Sequence, residues 1–132
     1  MVNLALVIED DPEIAEVIEL AIKVVLGCEV VFAPNGEVGL YEAAERQPDL
    51  IFLDWIMPEK SGLVALTELK SDAKTAAIPV YMITRKTSQV DVQKAFEAGA
   101  AGYFVKPIKF DALCAWLAER FPALADVNSI PE

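Results

Sequence analysis

Leu50-Ile51-Phe52-Leu53-Asp54 is the stretch on which the fold turns: four apolar residues in unbroken succession, then a carboxylate. A strand wetted on one face alternates apolar with polar residues, whereas an unbroken run predicts a strand covered on both faces, as in a parallel sheet. Runs of the same kind lie on either side of it, at 4–8 and 28–33 (apart from Glu29) before it, and at 80–83 and 103–105 after it. Longer segments with helical spacing separate them. Ile14, Val17, Ile18, Ala21 and Val25 fall on one helical face, with Glu13, Glu16 and Lys23 on the other. Pro12 suits a first helical turn, capped by Asp10 or Asp11.

The second helical segment, 37–46, follows the turn pair Asn35-Gly36 and stops before Pro48. The third, 63–69, repeats leucine at 63, 66 and 69. Ser88 opens the fourth with Asp91 three residues on, a capping-box pattern, and Val92, Ala95 and Phe96 are expected to be buried before Gly99. The fifth carries Leu113, Trp116, Leu117 and Phe121, while 71–79 reads as a connecting loop. Strand and helix thus alternate throughout, which calls for an α/β fold: a five-stranded parallel sheet, doubly wound by right-handed crossovers, with helices on both faces. The expected domain is 1–121. The remainder, 122–132, holds two prolines and reads as a tail or the start of a linker.

Composition narrows the chemistry. The chain has 132 residues, 55% of them hydrophobic, enough for one core and one domain of ordinary size. Its 21 acidic against 11 basic side chains give a net charge of −10, which repels nucleic-acid backbones and anionic lipid, so neither nucleic acid nor membrane is an expected partner of this segment. The chain contains no histidine, and this excludes Ser-His-Asp and Cys-His catalysis, His-ligated zinc and a phosphohistidine formed on the chain itself. Cys28 and Cys114 lie far apart among apolar neighbours and read as buried free thiols. No stretch has the form of a secretory signal or reaches the ~18 apolar residues of a membrane span, and a cytoplasmic location is expected.

In an open parallel sheet, ligands bind outside the carboxyl ends of the strands. Glu9, Asp10 and Asp11 follow the first run, Asp54 the third, Thr84 the fourth and Lys106 the fifth. Each has an ordinary reading by itself: helix cap, strand end, solvated lysine. Asp54 resists it, because a carboxylate directly after a buried strand is costly without a partner. Three acidic groups facing one another repel unless a cation neutralises them, and Mg²⁺ suits one or two carboxylates together with phosphate oxygens. Glu9, Asp10 and Asp54 fit that description. A carboxylate can itself attack phosphorus to give an aspartyl phosphate, with Lys106 supplying positive charge and Thr84 a hydroxyl to a phosphoryl oxygen.

With Val7-Ile8-Glu9-Asp10-Asp11, Leu53-Asp54-Trp55-Ile56-Met57-Pro58 and Gly62, Ile83-Thr84, and Gly99-Ala100-Ala101-Gly102-Tyr103-Phe104-Val105-Lys106-Pro107, the chain resembles response-regulator receiver domains, and among them the single-domain chemotaxis regulators, over about 4–120. The resemblance implies a flavodoxin-like strand order 2-1-3-4-5. It also implies a phosphorelay switch in which Asp54 accepts a phosphoryl group from a histidine kinase or phosphotransfer protein. Asp10 would ligate Mg²⁺ directly and Glu9 largely through water, with Asp54 and the Ile56 main-chain carbonyl as further ligands. Lys106 and Thr84 would contact the phosphoryl oxygens, and Tyr103 would be the switch aromatic that moves with Thr84. The Lys106-Pro107 bond is cis in such proteins, and the face formed by the fourth helix, the last strand and the last helix would meet a downstream protein. Asp11 falls outside the acidic pair and is left as a helix cap.

The chain departs from its relatives at Arg85, large and charged where a small residue is usual, and at Ile56, apolar where several are polar. Arg85 is long enough to cover a phosphoryl group or to extend into solvent. Such a domain catalyses its own phosphorylation and dephosphorylation without being a conventional turnover enzyme. A Mg²⁺-dependent aspartyl-phosphate phosphohydrolase similar to haloacid-dehalogenase-like enzymes would need a second acid where Ile56 stands. A flavin-binding protein would need a phosphate loop where Glu9-Asp10-Asp11 repels one. Intact Asp54 and Lys106 argue against an adaptor that works without phosphorylation.

Overall fold

The computed structural model describes residues 2–121, so the expected tail 122–132 lies outside the described residues. The chain runs β1 (Leu4–Ile8), α1 (Pro12–Leu26), β2 (Glu29–Ala33), α2 (Gly36–Arg46), β3 (Leu50–Asp54), α3 (Gly62–Ser71), β4 (Val80–Thr84), α4 (Gln89–Glu97), β5 (Gly102–Val105) and α5 (Phe110–Arg120). All strand pairs are parallel and the order is β2-β1-β3-β4-β5. Asp54 and Thr84 are the last residues of their strands rather than the first beyond them, because the ladder pairs Asp54 with Ile83 and Thr84 with Val105.

The sheet divides the core in two. Leu6, Ile8, Ile51, Leu53, Val80 and Met82 point toward α2, α3 and α4, and meet Ala43, Leu66, Leu69 and Ala95. Ala5, Val7, Leu50, Phe52, Tyr81 and Ile83 point the other way, onto Ile18, Ile22 and Leu26 of α1 and Leu113 and Leu117 of α5. Each fully buried branched or aromatic side chain contributes about 1.5–3 kcal/mol relative to exposure. The runs covered on both faces therefore belong to β1, β3 and β4, whereas the apolar runs of the edge strands are only partly covered, with Glu29 and Phe32 of β2 exposed.

Helix starts follow their caps. Asp11, not Asp10, caps α1 by accepting from Glu13 N at 2.9 Å, and Pro12 stands in the first turn. Gly27, at φ 65°, ends α1 in a left-handed conformation that costs a glycine little. The buried face of α1 is centred on Ile18, Ile22 and Leu26 and leaves Ile14, Val17 and Val25 half-buried, a rotation of about one position from the expected stripe. At α4, Ser88 accepts from Asp91 N at 3.1 Å, but the Asp91 carboxylate faces the Lys86 ammonium at 3.7 Å instead of completing the box.

Two burial expectations fail. Of the α4 residues expected inside, only Ala95 is buried; Val92 is half-buried and Phe96 is 47% exposed, because α4 covers the short edge strand β5 and, among the described residues, has no element beyond it. Cys114 is half-buried between α5 and its surroundings, whereas Cys28 is buried as expected; both are free thiols. The 71–79 connection is a series of turns, closed by the buried Thr75 hydroxyl donating to Leu69 O at 2.6 Å and by Lys70 Nζ donating to Ala76 O and Ile78 O at 3.0 and 2.6 Å. No helix among the described residues is long and apolar enough to cross a membrane.

Candidate functional site

The carboxyl ends of β1, β3, β4 and β5 deliver their polar residues to one edge. Glu9 leaves β1 with its N–H donating to Ala33 O at 3.0 Å, which continues the pairing with β2 by one residue and turns the side chain inward. Asp54 is held by the end of β3, where Trp55 N donates to Ile83 O at 3.2 Å. Lys106 follows β5 and donates through its N–H to Thr84 O at 2.8 Å. The bond that follows, Lys106-Pro107, is cis.

The three side chains meet below the surface. Lys106 Nζ lies 3.1 Å from Asp54 Oδ2 and 3.1 and 3.3 Å from the two Glu9 oxygens, with side-chain exposures of 7%, 3% and 0% for Lys106, Asp54 and Glu9. Asp54 Oδ1 accepts from Ile56 N at 3.2 Å, and Glu9 Oε2 accepts from Asp11 N at 3.1 Å. Glu9 Oε1 is buried and close to the ammonium, yet outside hydrogen-bond geometry, and is left without a donor. Burial and, next, the neighbouring Asp54 carboxylate push Glu9 up to about 7, against the opposing pull of Lys106 and the Asp11 N–H.

Asp10 is exposed, at the mouth. Ligand oxygens of Glu9, Asp10 and Asp54 all lie within 4.8 Å of one another. One ammonium against three carboxylates leaves an excess of negative charge, and an undonated buried oxygen is a position that a cation would satisfy. An all-oxygen set of this kind fits a hard divalent ion, Mg²⁺ above all. The residues present therefore fit the metal.

Thr84 is buried at the end of β4, and its Oγ1 accepts from Lys86 N at 3.2 Å. Tyr103, on β5, donates its hydroxyl to Lys86 O at 2.8 Å, and its ring meets those of Trp55 and Phe96 at 6.5 Å. Burial and then Asp91 raise the Tyr103 phenol above its ordinary value. The Ile56 side chain is 55% exposed. Arg85 is exposed and makes no ion pair or hydrogen bond among the described residues. Every residue expected at the site is on this edge. Lys86 was not anticipated, since its contacts with Thr84 and Tyr103 use main-chain atoms that any residue has.

Comparison with known proteins matches residues 5–118 to the family model described as the response regulator receiver domain. The chain is 34% identical over 110 residues to the DNA-binding dual master transcriptional regulator RpaA of Synechocystis sp. PCC 6803, a match covering 83% of this chain and 45% of RpaA. It is 36% identical over 87 residues to protein PilH of Pseudomonas aeruginosa, covering 66% of this chain and 72% of PilH. Among solved structures, the chemotaxis protein CheY4 of Vibrio cholerae superimposes with a TM-score of 0.82 at 25% identity, over 90% of this chain and 98% of CheY4. The chain spans less than half the length of RpaA.

Proposed function

Because the chain belongs to the response regulator receiver domain family of two-component signalling, in which the domain is a phosphorylation-dependent switch and not a conventional turnover enzyme, we propose that Asp54 is the residue that carries the phosphoryl group. The observation that carries this reading is the buried Asp54 carboxylate, 3.1 Å from the Lys106 ammonium and beside an undonated Glu9 oxygen. The donor is a phosphohistidine on a histidine kinase or phosphotransfer protein. An Asp54 oxygen forms a bond to phosphorus as the phosphorus–nitrogen bond breaks, and the electron pair leaves with the imidazole.

Lys106 compensates the charge gathered on Asp54 and the transferred group, and its short tether to the end of β5 holds that charge in place. Thr84 donates its hydroxyl to a phosphoryl oxygen. Asp10, Asp54 and the Ile56 main-chain carbonyl would hold Mg²⁺, with Glu9 acting largely through water. When bound, the ion supplies positive charge shared between the carboxylate and the phosphoryl oxygens. Movement of Thr84 toward that group draws on Tyr103 through Lys86, whose N–H donates to Thr84 and whose carbonyl accepts from Tyr103, and alters the α4-β5-α5 face that meets a downstream protein. The working unit is residues 1–121, acting in the cytoplasm without direct contact to nucleic acid or membrane. The phosphohydrolase alternative is disfavoured by the exposed, apolar Ile56, which cannot exchange a proton.

Incubation with acetyl phosphate and Mg²⁺ followed by intact mass measurement tests the assignment. The wild-type chain is expected to gain one phosphoryl group and Asp54→Asn none. Equal gain by both would place the acceptor elsewhere.

A further inference from the structure

Lys86 is the point at which four parts of the molecule meet. Its N–H donates to Thr84 Oγ1 at 3.2 Å and its carbonyl accepts from Tyr103 at 2.8 Å. Its ammonium lies 5.1 Å from the centre of the Trp55 ring and 3.7 Å from Asp91 Oδ2. Trp55 belongs to the loop after β3, Asp91 to α4 and Tyr103 to β5, so one side chain and its own backbone tie together three elements around the buried threonine.

The chemistry at Thr84 follows from this. A hydroxyl has one hydrogen to donate and two lone pairs to accept with. The Lys86 N–H occupies one lone pair, and the Thr84 hydroxyl makes no other hydrogen bond among the described residues, so its hydrogen is free for an incoming acceptor. That arrangement lasts only while residue 86 keeps its place. The loop from Arg85 to Ser88 has no strand or helix to hold it, and Arg85, Thr87 and Ser88 are all exposed. The main-chain bonds are available to any amino acid, but the contact with an aromatic face requires a cation at the end of a long stem.

We infer that the Lys86 side chain is a positioning residue for Thr84: its cation, seated over Trp55 and beside Asp91, holds the loop so that the threonine hydroxyl is preset to donate to a phosphoryl oxygen. The inference rests on the reading of Asp54 as phosphoryl acceptor and assigns to Lys86 no contact with the phosphoryl group itself.

The test is a calorimetric titration of the full chain with beryllium fluoride, a phosphoryl mimic, at saturating Mg²⁺. Lys86→Met keeps the stem and removes the charge, and is expected to weaken binding about three- to tenfold, as loss of a partly exposed cation–aromatic contact would. Lys86→Arg restores a cation over the ring and is expected to bind within about twofold of wild type. In a Thr84→Ala background, Lys86→Met is expected to have no further effect, because the residue acts through that hydroxyl. Wild-type affinity in Lys86→Met, failure of arginine to rescue, or an undiminished loss without the threonine would each overturn the inference alone. Failure of the wild-type chain to bind the mimic would overturn the phosphoryl-switch reading, and the inference with it.

Discussion

Ile56, two residues after Asp54, and Arg85, directly after Thr84, are both exposed, and their surroundings give them different expected effects. Ile56 is fastened by its N–H to Asp54 while its side chain is 55% exposed, so it borders the path by which water would reach a phosphoryl group on Asp54. An apolar side chain cannot orient that water. Ile56→Asn is therefore expected to shorten the lifetime of the phosphorylated protein roughly three- to tenfold, the effect of one added hydrogen bond worth about 1 kcal/mol. Arg85 is exposed and unpaired among the described residues, which favours the solvated of its two readings. Arg85→Ala should leave the lifetime within about twofold of wild type. Decay after donor removal, followed by intact mass, checks both. Tyr103 supplies a pH-dependent test. Burial and Asp91 disfavour its phenolate, so the phenol is raised in the folded state and its contribution to stability is complete below the unfolded value and lost as pH rises through the folded one. An alkaline absorbance titration should show the Tyr103 phenol ionising above the free value, a component lost in Tyr103→Phe, with stability falling over the same range. Asp54 could be read from sequence because a carboxylate ending an apolar run demands an explanation. Lys86 could not, since its contacts depend on where a loop lies.

Gly62 shows how an element can be set by a single missing atom. Its N–H donates to Trp55 O at 2.7 Å, closing the loop after β3, and a Cβ there would fall on the Asp54 carbonyl oxygen and the Trp55 Cα, neither of which can swing aside. Gly62→Ala should cost about 3 kcal/mol in urea denaturation and displace the Ile56 segment, weakening Mg²⁺ binding. Gly36→Ala is the control: its Cβ would meet Lys60 Cδ at 3.1 Å, the flexible part of a lysine, and stability should change by less than about 0.5 kcal/mol. All strands and helices could be read from the chain, the strands as short unbroken apolar runs and the helices from apolar spacing, caps and turn signals. Several details could not; two show why. Asp54 and Thr84 belong to their strands because pairing continues beneath them, and Phe96 is exposed because no element among the described residues lies beyond β5. Both depend on neighbours distant in sequence.

The molecule as a whole carries a net charge of −10, and its match to RpaA, a protein described as DNA-binding, covers only 45% of that protein. This chain should leave the anisotropy of a labelled duplex unchanged at roughly 10 µM and low salt, where even non-specific binders respond. Binding there would show that charge is segregated in a way the total conceals. The strand order could be expected only through resemblance, since alternation alone calls for parallel pairing without fixing which strands are neighbours. The division of the core by the sheet has a practical consequence. The chain's two tryptophans lie in different layers, Trp55 among the residues facing α2, α3 and α4, and Trp116 packed edge-on against Phe104 and Tyr81 beside α1. Fluorinated indoles would give two resonances from one sample: the Trp55 signal should shift when Mg²⁺ enters the acidic edge, while the Trp116 signal, on α5 across the sheet, reads out whether the change reaches the far layer.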